Sequence, residues 1–585
     1  MKRFLTVLLL LALVVAPWIL VAQEVRTEPV PNFTLPDTTG KPVSLADFKD
    51  KKALAVIFLG TECPLVNLYL IPLKHLHEEF AGQGVQLIGI NSNIQDDAAA
   101  VAAHAKSHGV PFPILKDKDQ KVAELFKAQR TPEAFVLDSS RRIVYRGRID
   151  DQFGIGFQRA AAGRRDLAEA LKETLAGKKV SVAATEAPGC LIGRDKPDLA
   201  DGKITYTKHV ARILQQHCQE CHRPGQIGPF SLTSYEKAKA WSDTLVEIVK
   251  AGRMPPWHAD PKHGKFSNDR SMPQADRETL IAWVEQGCPK GNEADMPPPR
   301  DFPKGDGWRI GTPDAIITMT EEFKVPAQAP SGGVPYQHFI VPTNFDKDMW
   351  VQAAEAKPGA KAVVHHIIAY VLGPGERFDP RSEDGLGRGL LVATAPGDIP
   401  TIYKPGMAKK IPKGARIIFQ MHYTPNGEEV VDRSSVGLIF AKEPPQHVVR
   451  TRSPLNRYFA IPPGADNHKV ESSTVFKKDA MLINFMPHMH LRGKSFEYRA
   501  VYPDGRTEIL LSIPRYDFGW QTYYQLAEPI KLPAGTKIEC TAHFDNSKDN
   551  PNNPDPTTVV RWGDQTWEEM MIGWLDYYYL DEKGE

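Results

Sequence analysis

Six cysteines in 585 residues are too few for a scaffold built on disulfides. An excess of charge is missing too, because 72 Lys and Arg face 71 Asp and Glu, a net charge of +1. With no basic surplus to neutralise phosphates, nucleic acid is excluded as the main partner, and so is polybasic attachment to a membrane. The chain has no repeat of solenoid period and no low-complexity tract. Long apolar runs are absent after the first twenty-odd residues. Phe4 to Ala22 is such a run, preceded by Lys2 and Arg3 and followed by polar Gln23-Glu24. This is the pattern of a secretory signal (1-22) cut after Ala22; an uncleaved anchor is the alternative, since 19 residues nearly span a bilayer. No cysteine follows the run, which argues against a lipid anchor. Either reading places the bulk of the chain in a periplasm or otherwise outside the cytoplasm, touching a membrane only through an uncleaved signal.

The length corresponds to about four domains, and 42% hydrophobic with 24% charged residues is a globular composition. Forty-nine prolines favour loop-rich and β-rich architecture over long helices. Residues 29-184 alternate apolar strands, such as Ala53-Leu59, Val85-Ile90 and Glu133-Leu137, with helical periodicity, predicting an α/β layer fold. Residues 204-296 are short, polar and helical, without a convincing strand. From Gly307 to Tyr579 short strands and Pro/Gly/Asn turns predict β-sandwiches. Glu186-Gly202 and Asp295-Gly307 read as linkers.

Cys218-Gln219-Glu220-Cys221-His222 is C-x-x-C-H, the attachment pattern of a c-type haem. Composition alone would produce it about 0.002 times per chain. Two thiols take up the vinyl groups and His222 is placed to ligate iron. Met254 in Arg253-Met254-Pro255-Pro256-Trp257 is the expected second axial ligand, with Met272, His258 and His263 as alternatives. The segment resembles a small all-α cytochrome c domain over about 90 residues.

Histidine pairs are weaker signals, since His-His and His-x-His are each expected about 0.55 times by chance. His75-Leu76-His77 lies in a helical pattern, where i and i+2 do not share a face, and reads as surface. His488-Met489-His490 ends the strand-like run Met481-Phe485, where i and i+2 do share a side. His365 and His366 are adjacent, so both can ligate one ion only at a bulge or strand end.

In order, Val364-His365-His366-Ile367, Phe419-Gln420-Met421-His422-Tyr423, Pro487-His488-Met489-His490 and Thr566-Trp567-Glu568-Glu569-Met570 resemble the copper type II, ascorbate-dependent monooxygenases. That family includes the peptidylglycine α-hydroxylating and dopamine β-monooxygenases. The resemblance covers some 270 residues. It implies two all-β jelly-roll sandwiches, 307-450 and 451-585, each holding one of two copper ions. His365, His366 and His422 would hold the electron-storing copper, and His488, His490 and Met570 the oxygen-binding one. A soft thioether suits Cu(I). The family's disulfides are absent, because this region holds only Cys540, and no substrate-binding residues can be matched.

Cys63 follows a buried strand, and Pro64 opens a helical stretch, a position that lowers a thiol pKa. Thr131-Pro132 fits the cis-proline turn that faces such a cysteine. Together they resemble the thioredoxin fold, nearer its redoxin branch. The departure is Val66 at the partner position of C-x-x-C, so no vicinal dithiol exists. Cys63 is a candidate catalytic thiol, with Cys190 a candidate resolving partner, and Arg130 reads as a solvated surface residue.

The expectation is an exported multidomain oxidoreductase: thioredoxin-like, cytochrome c-like and two-copper monooxygenase regions. It would hydroxylate a C–H bond of a small molecule or peptide with O2, using an ascorbate-like reductant or a redox protein as electron donor. Two other readings stay open, a haem and copper electron-transfer or metal-binding protein without hydroxylation, and a thiol peroxidase using Cys63.

Overall fold

The computed structural model describes residues 28–583 apart from 160, 303–306, 331–332, 378–385, 395–399 and 401. The apolar run at 4–22 lies outside the described residues. Among them, no helix is long and apolar enough to cross a membrane.

The first region is a five-stranded sheet in the order Ile114–Lys116, Val85–Asn91, Ala53–Phe58, Glu133–Leu137, Ile143–Gly147. The first three strands run parallel, Glu133–Leu137 runs antiparallel to them, and Ile143–Gly147 is antiparallel to Glu133–Leu137. All six residues of Ala53–Phe58 are buried, as a central strand covered on both faces requires. Ala53, Ala55 and Ile57 join one core, and Leu54, Val56 and Phe58 the other. This period-two alternation places a core on each side of the sheet. The helix Pro64–Ala81 starts on Cys63 as N-cap with Pro64 at its first turn, where a missing N–H costs nothing.

Glu186-Gly202 is not a free linker. Cys190–Leu191 pairs antiparallel with Arg130–Thr131, Ala184 bridges to Arg146, and Gly193 N–H donates to Asn93 Oδ1 at 3.1 Å. The segment is a strap tied across the α/β region. Its Pro and Gly content signalled irregular backbone and could not signal where that backbone finds its hydrogen bonds.

Residues 204–296 hold the helices Ala211–His217, Tyr235–Ala240, Ser242–Lys250 and Gln274–Glu285 and no strand. They pack around Tyr206, Leu214, Trp241 and Trp283. Their Asp260–Ser267 loop docks on the β region, where Asp260 N–H donates to Ser512 O and Ser267 N–H to Gln525 O, both at 2.8 Å.

The remainder is β-rich and forms two units, each of two sheets closing on one core. In the first, a five-stranded sheet centred on Met349–Lys357 faces a four-stranded sheet centred on Arg416–Tyr423 and Val364–Leu372. In the second, sheets centred on Ala480–His488 and on Lys537–Phe544 enclose Phe485, Tyr498 and Leu575. A separate apolar seam joins the units, with Ile368, Tyr370 and Ile418 against Met486, Met570 and Trp574. Trp574 Nε1–H crosses it to Leu386 O at 2.6 Å.

Candidate metal and redox centres

His366 and His422 are cross-strand partners, and the register slips between Val364 and His366. That bulge turns the side chains of His365 and His366 toward one point, the condition their adjacency demanded. Ring nitrogens of His365, His366 and His422 lie within 4.8 Å of one another. Among the described residues this is the one group of three or more His, Cys, Asp or Glu so close. His365 Nδ1 and His366 Nε2 are buried without a hydrogen-bond partner. An orphaned buried nitrogen costs free energy unless something binds it, so the donor set fits a metal with imidazole affinity.

His488 ends its strand, and His490 lies two residues beyond, in the turn. Their rings sit 5.1 Å apart and perpendicular. Each Nδ1–H is engaged, His488 to Gln521 Oε1 at 2.6 Å and His490 to Glu568 O at 3.2 Å, which leaves each Nε2 free. Met570 is buried, two residues before the strand Ile572–Tyr579 that pairs with His488. The buried Glu569 carboxylate accepts from the backbone N–H of His490 at 2.8 Å and of Arg492 at 2.6 Å, fixing the turn that presents His490. Burial pushes Glu569 up to about 8.

Phe518 lies between the two histidine sets, stacked on His365 at 5.2 Å and edge-on to His490 at 5.9 Å. Burial, and then neighbouring imidazoles, push His365 down to about 4 and hold His366, His422 and His490 well below the usual imidazole range. Burial takes His488 to about 4 against the Gln521 bond. All five are therefore neutral near pH 7, the form that binds metal. His75 and His77 lie on the helix Pro64–Ala81, the first exposed and the second half-buried with its Nδ1 enclosed, so the surface reading fits only His75.

A cavity of about 1800 Å3 runs between the three regions. Its wall includes Cys218, Cys221, His222 and Met254 on one side and His365 and His422 on another. His222 Nδ1–H donates to Phe230 O at 3.1 Å, leaving Nε2 for a ligand. Gly228 closes the loop over the motif; a Cβ there would meet Cys221 O at 2.6 Å and His222 Nδ1 at 2.9 Å. This cradle fits a covalently held haem. Met272 lines the cavity as Met254 does, whereas His258 and His263 do not. Phe230 stacks on Trp241 at 4.0 Å and lies 4.7 Å from His222.

Cys63 is fully buried. Its thiol lies 3.0 Å from Thr131 O, beside the cis Thr131–Pro132 bond, and contacts Cys190. Burial pushes Cys63 up, but hydrogen bonds from the Cys190 thiol and backbone, with those from Val66 and Thr131, outweigh it and bring the thiol down to about 6. Cys190 is pushed up by its bond to Cys63 and by burial. Arg130 is not a solvated residue. It pairs with Glu247 of the helical region at 2.8 Å and donates to Gly189 O at 2.7 Å. Sequence reasoning also missed Gln521, Phe518 and Glu62. The Glu62 carboxylate accepts from Lys237 at 2.8 Å and Trp241 Nε1 at 3.2 Å, pinning the Cys63 loop to the helical region.

The Redoxin family model matches residues 26–156, and that of cytochrome C oxidase, cbb3-type, subunit III matches 206–284. Thiol-disulfide oxidoreductase ResA of Bacillus subtilis (strain 168) is 31% identical over 114 residues, 20% of this chain and 62% of the relative. Chloroplastic peroxiredoxin Q of Triticum aestivum is 33% identical over 122 residues, 20% of this chain and 55% of the relative. A crystal structure of a hypothetical protein from Sinorhizobium meliloti 1021 is 35% identical, covering 29% of this chain and 93% of that one at a TM-score of 0.26. The chain thus spans between half and two thirds of the length of these curated relatives. Residues 26–156 are thus similar to redoxins and residues 206–284 to a cytochrome c-type domain, a likeness that supports a c-type haem at Cys218, Cys221 and His222.

Proposed function

We propose that the chain is an exported, copper-dependent monooxygenase whose electrons arrive through its covalently bound haem. The domains in this reading are 29-184 redoxin-like, 204-296 cytochrome c-like, and jelly-roll copper units at 307-450 and 451-585. The observation that carries it is the convergence of His365, His366 and His422, two of them with unpaired ring nitrogens, on one point beside the cavity. His488, His490 and Met570 would form the second set across Phe518. When bound, copper supplies one-electron redox chemistry and O2 activation for the net reaction R–H + O2 + 2 e− + 2 H+ → R–OH + H2O.

The chain's own residues do the rest. Gln521 and the Glu568 carbonyl fix the tautomers of His488 and His490, and Phe518 stacks on His365 to hold its ring in place between the sets. Cys218 and Cys221 would hold the haem covalently, with His222 and Met254 on its iron. The small-molecule or peptide substrate would react at the second set, while the shared cavity lets a reductant approach the first histidine set from the region of the haem motif.

Elemental analysis of exported, copper-loaded protein is the test, with two coppers and one iron per chain expected. Oxygen consumption should then follow reductant and substrate. Cys221→Ser should retain turnover with ascorbate and lose it with reduced electron-donor proteins. Iron without stoichiometric copper overturns the reading, and two coppers without oxygen consumption reduce it to metal binding.

A further inference from the structure

We propose that Cys63 and Cys190 form a thiol–disulfide couple that exchanges with small thiols entering from the central cavity, with Cys190 as the sulfur they attack. Cys190 lies outside the segment matched by the redoxin family, 127 residues after Cys63, on the strap tied to Arg130–Thr131. Register sets Cys190 opposite Thr131, whose carbonyl is the acceptor for Cys63. Gly189 makes this close approach possible; at φ +122°, a Cβ there would collide with Thr131 O. Leu191 N–H donates to Thr244 Oγ1 at 3.2 Å, so a helix of the cytochrome-type domain clamps the strap from outside. Three segments therefore build the pair, and a redoxin domain alone would lack half of it.

Exposure assigns the roles. Cys190 lines the cavity, whereas Cys63 is fully buried and does not. In the oxidised couple a thiolate R–S− attacks Cys190 Sγ, the Cys63–Cys190 bond breaks, and Cys63 leaves as thiolate. A second R–S− attacks the R-bearing sulfur of the mixed disulfide. R–S–S–R departs, and Cys190 takes a proton from solvent. Two thiols are oxidised and one protein disulfide is reduced; a small disulfide runs the sequence backwards. When Cys63 leaves, the backbone of Cys190 and of Val66 still donates to its thiolate, and the Cys190 thiol adds its own bond once the pair is fully reduced, so the reduced pair is favoured and the couple is oxidising.

The test equilibrates the haem-loaded full chain in buffers of reduced and oxidised glutathione, followed by acid quench, alkylation and peptide mass mapping. A Cys63–Cys190 cross-linked peptide should appear and vanish reversibly with the glutathione ratio, while buried Cys288 and Cys540 stay as thiols. Cys63→Ser should trap glutathione on Cys190. In Cys190→Ser, Cys63 should react at least about tenfold more slowly than the wild-type pair, because the accessible sulfur is gone. Absence of the cross-linked peptide from wild type at every ratio overturns the proposal without recourse to any variant. Glutathione accumulating on Cys63 instead overturns the assignment of roles.

Discussion

The thiol centre and the histidine centre are both buried, and burial favours the neutral form of each, yet they end in different charge states. At Cys63, donors aimed at the sulfur outweigh desolvation, and an anion is held at about pKa 6. At His365, His366 and His422 nothing in the chain offsets desolvation, and the rings stay neutral, with a nitrogen of His365 and one of His366 unpaired. One site satisfies its charge internally; the other presents lone pairs to a cation that must come from outside. The contrast teaches that burial alone does not set the state of a redox site. What decides is whether the neighbours are hydrogen-bond donors or more of the same base.

The sharpest way to break this comparison is to remove a member of the histidine set. His422→Ala should lose one full equivalent of copper, read by elemental analysis, and should leave the Cys63 titration unmoved. Next in size is the seam beside that centre. Trp574→Ala removes a buried ring and its bond to Leu386 O, so it should cost about 3–5 kcal/mol in denaturant unfolding. Gln521→Ala should weaken copper at the second set by about 10–100-fold, since Gln521 orients His488 from outside the ligand shell. Titration by isothermal calorimetry of copper into the two proteins measures it.

The smallest effect is on the thiol side. Thiolate absorbance of the reduced protein should titrate with a midpoint of about 6, a step lost in Cys63→Ser and moved upward in Cys190→Ala. A thiol pKa lowered in the fold stabilises the fold fully above the unfolded value of about 8.5. That stabilisation is lost as pH falls through about 6. Wild type should therefore gain stability over Cys63→Ser between those limits, by urea midpoint at each pH. A flat difference would show that the thiolate is not held by its neighbours.

Local pattern made much of this legible. The run Ala53–Phe58 reads as a buried strand because a central strand covered on both faces has no polar side. C-x-x-C-H reads as haem attachment because the chemistry sits within five consecutive residues. The demand that His365-His366 needs a bulge follows from strand geometry, and the register slip at Val364/His366 meets it. Other features left no such trace. Nothing around Cys190 marks it as the neighbour of Cys63, since the contact arises from a two-residue strand closing over a distant loop. Gln521 and Phe518 are ordinary residues of a turn until the fold sets them between His488, His490 and His365.

By itself the sequence determined the order of regions, the central strands of the α/β sheet and the haem motif, because each is written in short-range periodicity or contiguous chemistry. Tertiary structure alone decided that thiol strap, haem motif and first histidine set border one cavity. It also decided that Arg130 and Glu62 serve as clamps to the helical domain. Such contacts join residues more than a hundred positions apart, and they depend on how whole domains pack, which no local pattern encodes.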